Sequence, residues 1–410
     1  MQVIVFEDAG YRNLLPLVYS RATFNLRCGF DNLLSKIERA QGCRASGLFV
    51  RETLAAAIAD RQDRPVNSAP KEDSQLWING RLLLRKRIDL KPNTAAWRGN
   101  TLLAASLDAK HAAGLTIDTL TDPAALQRAL ADCESADLDT GTAELIDYPW
   151  QLVHANEPEI ARQFGTHENK GDRDAVHSGA FLLNDSAIFV GPGTTIKPTA
   201  VLDAENGPIY IGEDATIGPH VSITGPCYVG DGCTIRPGAS ISASSIGPVC
   251  KVGGELEGSI IHGYSNKQHD GFLGHSYVGE WVNVGADTVN SDLKNTYGPV
   301  RVPINGTSVD SGETFVGAFV GDHTKTGINV ALPTGCVIGH ACNLFATRQP
   351  PTFVPSFSWL SEDGIMANDP AKALAVAKKV AARRNRTLSA AEEALFISIA
   401  ETALQIERSP

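Results

Sequence analysis

The sequence lacks three features that mark particular classes of protein: an excess of positive charge, closely spaced cysteine pairs and long apolar runs. Its 410 residues carry a formal net charge of -10, whereas a nucleic-acid surface requires a basic field. The eight cysteines form no CxxC pair, which argues against a metal site. No run approaches the roughly 18 apolar residues that a membrane-spanning helix needs. We therefore expect neither a nucleic-acid partner nor a membrane partner, and we assign no metal ligands.

The chain opens with MQVIVFEDAG, which is typical of a strand and a turn rather than of a basic segment leading into an apolar secretory core. Together with the cysteine pattern, this start leads us to expect a reduced, cytoplasmic protein. The length, with 43% hydrophobic and 20% charged residues, favours more than one globular unit.

Composition divides the chain into four zones. Residues 1–133 alternate short aliphatic runs with helical patterns, which predicts a Rossmann-like α/β domain of βαβ units around a parallel sheet. Residues 134–177 are predicted to be a polar linker with one helix. Residues 178–348 are dense in glycine and β-branched residues, and residues 349–410 predict an extended segment followed by C-terminal helices. Within the last zone, Ser389 and Glu392 have the spacing of a helix capping box.

The third zone has a six-residue period. The aliphatic positions of that period include Ile211, Ile217, Ile223, Val229, Ile235 and Ile241. This pattern predicts a parallel β-helix of hexapeptide repeats, in which each hexad forms one short strand and one turn of a triangular coil. The aliphatic side chains point into the prism. Because such a coil has flat sides and open ends, we expect capping by the C-terminal helices and association into a homotrimer.

The hexads become irregular after residue 241 and return at Val278 and Val284. A histidine can accept a proton from an amine near neutral pH, and an amide can orient a ligand or stabilise an oxyanion. The irregular segment and the residues that follow it contain three histidines, an amide, an acid and a lysine as candidates for such roles: Glu255, His262, His269, His275, Asn283 and Lys294.

The segments IRPGAS (235–240), FLG (272–274) and VNVGADT (282–288), with Glu255 and His269, resemble a known family. It is the acetyltransferase half of the bifunctional enzymes that join glucosamine-1-phosphate acetyltransferase to N-acetylglucosamine-1-phosphate uridylyltransferase. The segments SNKQHDGFLGHSYVGEWVN and NSDLKNTYG, with the chain start, also resemble a less-studied group of sugar nucleotidyltransferases of the same two-domain order. The resemblance implies a left-handed β-helix behind a nucleotidyltransferase-like domain.

The resemblance also implies roles for individual residues of the solenoid. His269 would be the general base that deprotonates a sugar amine, and Glu255 would hold that histidine or the substrate. Asn283 would bind the sugar, and Arg236 would bind its phosphate. In the resembled family, acetyl-coenzyme A lies along the outside of the last coils, which would place Ala318 near the thioester and Lys325 near the phosphates.

Two departures from the family pattern concern the substrate. Phe272 stands where the family has a tyrosine, and Glu257 stands where it has a lysine. An acid in place of a phosphate-binding cation weakens the case for glucosamine 1-phosphate as the substrate. Lys267, Lys294 or a neighbouring protomer could supply the missing charge. We therefore count Phe272, Lys267 and Lys294 among the substrate-binding candidates.

The first domain keeps only part of the family's nucleotide-binding loop, which reads FEDAGYRNLLPLVYSRATFNLRCG here (6–29). Thr23 replaces the loop lysine, and Asn79 replaces an aspartate that helps to hold Mg²⁺ in the family; an amide is a poorer ligand for a hard dication. Arg81 could contribute to an anion pocket. The nucleotide-binding candidates are Gly10, Arg12, Arg21, Arg27 and Asn79, with Mg²⁺ as a possible companion.

The leading interpretation is a transferase of cell-envelope biosynthesis that acts on a sugar phosphate or nucleotide sugar. Its β-helix would transfer an acetyl group from acetyl-coenzyme A to an amino sugar, and its first domain could transfer a nucleotidyl group. In a second interpretation, the β-helix is only a trimerisation and regulatory scaffold for a sugar-1-phosphate nucleotidyltransferase. A third is a nonenzymatic protein that binds a nucleotide sugar. The set of His269, Glu255 and Asn283 favours the first, because a scaffold has no need of it.

Overall fold

The computed structural model describes residues 2–68, 74–165, 171–346 and 348–407. The first part of the chain forms an α/β domain. Its strands are β1 Gln2–Phe6, β2 Arg27–Cys28, β3 Asp31–Asn32, β4 Gly47–Phe49, β5 Ser74–Asn79, β6 Leu82–Leu84, β7 Thr94–Arg98, β8 Thr101–Asp108, β9 Glu134–Ala136 and β10 Ala143–Leu145. Its helices are α1 Leu33–Gln41, α2 Glu52–Arg61, α3 Ala109–Ala112, α4 Ile117–Thr121, α5 Pro123–Ala129 and α6 Pro149–Phe164, and short 3-10 turns occur at Ala9–Leu14 and Thr23–Asn25.

The main sheet of this domain has six strands in the order β4-β1-β5-β8-β7-β9. Strand β1 is parallel to β4 and β5, as the βαβ pattern predicts, whereas β8 is antiparallel to both β5 and β7. The sheet is therefore mixed and not wholly parallel. The reason is the two-residue connection Gly99-Asn100 between β7 and β8, since so short a link can join only antiparallel strands. Strands β9 and β10 bring residues after 133 into the sheets of this domain, before α6 begins.

The solenoid is built of short parallel strands stacked in columns. Its strands are β11 Phe181–Leu183, β12 Ile188–Val190, β13 Thr195–Ile196, β14 Val201–Asp203, β15 Ile209–Ile211, β16 Thr216–Ile217, β17 Ser222–Thr224, β18 Cys227–Val229, β19 Thr234–Ile235, β20 Ser240–Ser242, β21 Ser245–Ile246, β22 Lys251–Val252, β23 Glu255–Glu257, β24 Ile260–Gly263, β25 Asn266–Lys267, β26 Phe272–Gly274, β27 Tyr277–Glu280, β28 Val289–Asn290, β29 Arg301–Ile304, β30 Thr307–Asp310, β31 Phe319–Val320, β32 Lys325–Thr326, β33 Ala331–Leu332, β34 Val337–Ile338, β35 Asn343–Leu344, β36 Phe353–Val354, β37 Ser358–Ser361 and β38 Gly364–Ala367, with a 3-10 turn at Asp185–Ala187.

Three sides result from this stacking. We call the nine-stranded column from β12 to β36 the domain side, because the first domain packs on it. The column β13-β16-β19-β22-β25, continued through Asn283 to β32, β35 and β37, is the helix side. The column β11-β14-β17-β20-β23-β26 is the third side. The expected left-handed parallel β-helix is confirmed.

The interior of the prism is aliphatic, as the six-residue period predicts. The periodic positions from Ile211 to Ile241 are all buried, with Ile223 and Ile235 wholly inaccessible to solvent. Burying each such side chain stabilises the fold by about 1.5–3 kcal/mol relative to leaving it exposed. The regular coil is interrupted between β28 and β31, where the antiparallel hairpin of β29 and β30 is inserted and β29 packs against β34.

Two C-terminal helices complete the fold: α7 Pro370–Ala382 and α8 Ala390–Glu407. Helix α8 packs on α2 and α7, and it buries Leu395, Phe396 and Ile399. The predicted capping box is confirmed, since the amide of Glu392 donates to Ser389 Oγ and the amide of Ser389 donates to the Glu392 carboxylate. In the part of the chain that the structure describes, no helix is both long enough and apolar enough to cross a membrane.

Candidate functional site

Four of the predicted residues lie around one corner of the solenoid, between the helix side and the third side. His269 is exposed in the turn that follows β25. Arg236 is exposed at the same corner two coils below, after β19. On the third side, exposed Glu255 stands in register with Phe272, whose half-buried ring folds over Gly274. The corner therefore presents a base, a cation, an acid and an apolar ring to the same region of solvent.

Lys267 supports this corner from within. Its side chain is only 2% exposed, and its ammonium group donates to the carbonyl oxygens of Gly253 at 2.8 Å and of His269 at 3.2 Å. Burial lowers the pKa of Lys267 to about 8, although Asp270 and Glu255 act in the opposite direction. The lysine thus fixes the turn that carries His269. This role differs from the substrate contact that we expected, because the ammonium group points at backbone and not at solvent.

The remaining solenoid candidates lie elsewhere. Asn283 and Lys325 line a pocket of about 250 Å³ on the helix side, where Lys325 donates to the carbonyl oxygen of His323 at 2.8 Å. Ala318 is fully buried inside the prism, so its methyl group cannot touch a ligand on the outer surface. Lys294 donates to the carbonyl oxygen of Pro299 within the irregular segment before the hairpin. The structure does not bring these residues to the corner of His269.

A histidine–carboxylate pair lies at the opposite end of the same third-side strand. The Nδ1 atom of His275 is 2.8 Å from the carboxylate of Asp292, and the side chains are 23% and 13% exposed. Asp292 fixes one ring nitrogen, which leaves Nε2 for a ligand. The ring of Phe315 and the imidazole of His154 lie beside that of His275, with centroids at 5.2 and 6.1 Å. Sequence reasoning noted His275 but did not single out Asp292, which lies 17 residues further on, within the segment NSDLKNTYG.

His262, the other histidine of the irregular segment, lies under the first domain. It is 8% exposed, and its Nδ1 atom is 2.9 Å from the hydroxyl of Tyr277. Burial holds the pKa of His262 well below its ordinary value, and the charges of Arg21 and Arg27 act in the same direction. A buried neutral imidazole of this kind is a packing group rather than a base open to substrate.

Arg21, one of the predicted nucleotide contacts, makes an ion pair with the solenoid. Its guanidinium lies 2.8 Å from the Asp322 carboxylate and 3.2 Å from that of Glu280, and it donates to the carbonyl oxygen of Leu17. Arg21 and Asp322 are 3% and 2% exposed. Burial alone would raise the pKa of Asp322, but the charge of Arg21 lowers it below the ordinary value.

Arg81 and Asn79 are engaged within the first domain. Arg81 binds both carboxylate oxygens of Asp8, at 2.7 and 2.6 Å, and also donates to Asp147 at 2.7 Å. Asn79 gives its amide hydrogens to Asp8 and to the carbonyl oxygen of Leu102. Gly10 packs on the same guanidinium, since a Cβ atom there would lie 2.2 Å from Arg81 Cζ.

The other two arginines of the loop, Arg27 and Arg12, differ in their contacts and in their exposure to solvent. Arg27 joins the domains, because its Nε donates to the carbonyl oxygen of His262 at 3.2 Å and its guanidinium lies 5.7 Å from the ring centroid of Tyr228. Arg12 is exposed, and its guanidinium approaches the ring of Tyr11 at 5.9 Å. Of the predicted nucleotide contacts, Arg12 is the cation that is open to solvent.

The residues near Asn79 do not fit a magnesium ion. A divalent cation of this kind needs free oxygen ligands, above all carboxylates. Here the carboxylate of Asp8 is saturated by Arg81 and Asn79. Across the described residues, no group of three or more histidine, cysteine, aspartate or glutamate side chains is placed to hold a metal ion.

Two parts of the chain match known family models, one in the first domain and one in the solenoid. Residues 3–171 match the model of the sugar nucleotidyl transferase family. The chain carries a sugar nucleotidyl transferase domain. Behind this sugar nucleotidyl transferase domain, residues 208–243 match the bacterial transferase hexapeptide model of six repeats.

Curated relatives are similar over shorter stretches. A bifunctional sugar-1-phosphate nucleotidylyltransferase/acetyltransferase of Sulfurisphaera tokodaii is 35% identical over 91 residues, which are 22% of this chain and 23% of that protein. The bifunctional protein GlmU of Methanococcus vannielii is 39% identical over 85 residues, which are 21% of this chain and 20% of that protein. The chain thus matches less than a quarter of the length of either relative. A solved Arabidopsis UDP-N-acetylglucosamine acyltransferase aligns with 53% of this chain and 76% of its own, at 12% identity and a TM-score of 0.22.

Proposed function

We propose that this chain is a transferase whose solenoid moves an acetyl group from acetyl-coenzyme A to the amine of a sugar phosphate or nucleotide sugar. The observation that carries the proposal is the exposed imidazole of His269, held on a turn that the buried Lys267 braces, with Arg236 at the same corner two coils below and Glu255 on the third side. The name of the Sulfurisphaera tokodaii relative, a bifunctional sugar-1-phosphate nucleotidylyltransferase/acetyltransferase, supports the same pairing of activities.

The mechanism follows from the position of His269. Its neutral imidazole accepts a proton from the sugar amine as the nitrogen attacks the thioester carbonyl. Backbone amides of the coil would stabilise the tetrahedral oxyanion. When the intermediate collapses, the carbon–sulfur bond breaks, and the proton held by the imidazole passes to the departing thiolate. The products are an amide and coenzyme A, and no covalent intermediate with the protein is required.

A homotrimer in the cytoplasm is the setting that we propose for this reaction. The corner of His269 is open, so a ligand bound there would be enclosed only by a second copy of the chain. The third side supports association, because Phe181 is 59% exposed and Leu183 is 40% exposed at its first strand. Exposed apolar side chains of this kind are typical of association sites.

His275 is a second candidate for the base, and a specific observation favours it. Its imidazole is oriented by Asp292 at 2.8 Å, as the bases of many acyl transfer sites are oriented by a carboxylate. The corner of His269 has no such oriented partner among the described residues. Separate variants of the two histidines decide between them.

Nucleotidyl transfer by the first domain is a second candidate function, which the family match favours. The structure weighs against turnover, because Arg21 of the loop and Arg81 after β5 are held by carboxylates and Thr23 has no positive charge to offer. Arginines that are engaged in this way agree better with binding of a nucleotide sugar without turnover. Release of pyrophosphate from a nucleoside triphosphate and a sugar 1-phosphate would establish transfer.

The experiment is release of free thiol from acetyl-coenzyme A in the presence of a panel of amino sugar phosphates and nucleotide amino sugars. The native chain is compared with His269→Ala, His275→Ala and the control His177→Ala, which removes an exposed histidine at the start of the solenoid. We expect release with one class of sugar, loss of at least a hundredfold in His269→Ala and an unchanged rate in the control. Equal rates in the native chain and in His269→Ala would remove that residue from the mechanism.

A further inference from the structure

Helix α8 lies over the first-domain loop (6–29) that resembles a nucleotide-binding motif. A cavity of about 150 Å³ separates the two, and both contribute to its walls. The loop side includes Tyr11, Leu15 and Tyr19, and the α8 side includes Leu395 and Ile399. On this side, the loop therefore faces a helix of its own chain rather than open solvent.

A single carboxylate in the last turn of α8 joins three parts of the molecule. Glu407 is 8% exposed, and it accepts a hydrogen bond of 3.0 Å from the hydroxyl of Tyr19 in the loop. It also accepts bonds of 2.7 Å from both the amide and the hydroxyl of Ser356 in the solenoid. An acid at the C-terminal end of a helix is unfavourable for the helix dipole, so these partners account for its position. We call this contact of Glu407, Tyr19 and Ser356 the catch.

Helix α8 also covers the ion pair between Arg21 and Asp322. A second cavity, of about 30 Å³, lies at this point, and its walls include Asp322 and Glu280 together with Phe396 of α8. Opposite charges attract more strongly in such an enclosed place than in water. While α8 is in place, Arg21 is therefore bound to the solenoid and turned away from any ligand of the loop. Movement of α8 would admit solvent and weaken that attraction.

The contacts that hold α8 in its seat are few and incompletely packed. Two cavities lie beneath the helix, whereas protein interiors contain few voids larger than a water molecule. At the start of α8, Glu392 is 2.6 Å from Arg61 of α2, but Arg61 is 38% exposed. Exposed pairs of this kind contribute about 0–1 kcal/mol. The buried catch is therefore the strongest polar link between the helix and the loop.

We propose that α8 is an autoinhibitory clamp that holds the first-domain loop closed to an anionic nucleotide, with Glu407 as its catch. The inference goes beyond acetyl transfer by the solenoid, and it rests on the binding of a nucleotide by the first domain. A nucleotide that binds only the open loop must displace the helix. Nucleotide binding and release of α8 therefore promote each other.

The first test is hydrogen exchange of the full native chain, followed by mass spectrometry of peptides from the loop and from α8. The exchange is measured with and without uridine triphosphate (UTP) as the probe. Most ligands slow exchange in the segments that they contact. Because UTP would shift the chain to the open state, we expect it to speed exchange of residues 390–407 by at least threefold.

The second test removes the catch from either side. In Glu407→Gln, one amide oxygen replaces two acceptor oxygens, and the new NH2 group meets the donors of Ser356. Tyr19→Phe removes only the bond from the loop. The matched control is Glu401→Gln, which makes the same change at an exposed position of α8. In isothermal titration, we expect both catch variants to bind UTP at least tenfold more tightly than the native chain, because a closed state lowers apparent affinity. The control should bind as the native chain does.

Three results would overturn the clamp. One is slower or unchanged exchange of α8 when UTP binds the native chain. Another is equal UTP affinity in the native chain and the catch variants. The third is no binding of UTP by any of these proteins, in which case nucleotide binding by the first domain has failed as well. The exchange test uses the native chain, so it remains decisive if a catch variant does not fold. Thiol release from acetyl-coenzyme A is a separate measurement, and its outcome changes none of these results.

Discussion

Replacing Arg21 with methionine should weaken the junction between the first domain and the solenoid. The guanidinium is 3% exposed and lies 2.8 Å from the carboxylate of Asp322, which is 2% exposed. Methionine keeps most of the apolar stem but leaves Asp322 ionised without its strongest partner. Removing one member of a buried ion pair costs about 3–5 kcal/mol, because the other charge stays buried and uncompensated. We expect a loss of that size in the free energy of unfolding.

Urea unfolding followed by tryptophan fluorescence measures this effect. The matched control is Arg12→Met, which removes an exposed arginine from the same loop and should change the free energy of unfolding by less than about 0.5 kcal/mol. The double variant Arg21→Met with Asp322→Asn removes both charges and should lose less than the sum of the single variants, by about 1–3 kcal/mol. If Arg21→Met is as stable as Arg12→Met, the ion pair does not hold the domains together.

Three further predictions concern stability. The pKa of buried His340 is lowered to about 4 by burial, so between pH 6.5 and pH 4 the unfolded chain binds a proton that the folded chain does not. Between pH 7 and pH 4.5 the unfolding free energy of the native chain should therefore fall by about 2–3 kcal/mol more than that of His340→Phe. Urea unfolding of both proteins at both pH values measures this difference. Ile235→Ala leaves a cavity in the prism and should cost about 2–5 kcal/mol in the same assay, against less than about 0.5 kcal/mol for the outward neighbour Thr234→Ala. Ser389→Ala removes the cap of α8 and should cost about 1 kcal/mol, and an unchanged melting temperature would contradict the capping role.

The solenoid was predictable because its signal is local and repeated. Each aliphatic residue from Ile211 to Ile241 meets the same requirement, an apolar side chain in a closed prism, so the six-residue spacing determines the coil without knowledge of any distant contact. The capping box at Ser389 is local in the same sense. The antiparallel strand β8 was missed because the helical segments around it suggested only parallel crossovers.

The contacts of the charged residues could not be predicted from local spacing. The partner of Arg21 lies 301 residues away in the sequence, and a loop that resembles a nucleotide-binding motif gives no sign that its arginine turns towards the solenoid. Lys267 occupies an inward position of the six-residue pattern. Because a lysine is normally exposed, the residue type gave no sign that the side chain is buried. The pocket that Asn283 and Lys325 line depends on Arg384, just after α7, meeting Asn266, a contact between segments 118 residues apart. Such sites are created by tertiary packing rather than by spacing.

The central claim is that the solenoid is the catalyst and that His269 is its base. The most direct test is transfer of a labelled acetyl group from acetyl-coenzyme A to an amino sugar phosphate, followed by mass spectrometry of the sugar, with native chain and His269→Ala at equal concentration. We predict an N-acetylated product from the native chain and at least a hundredfold less from the variant. Product at the native rate from His269→Ala, or none from the native chain with any amino sugar phosphate or nucleotide amino sugar, would contradict the account.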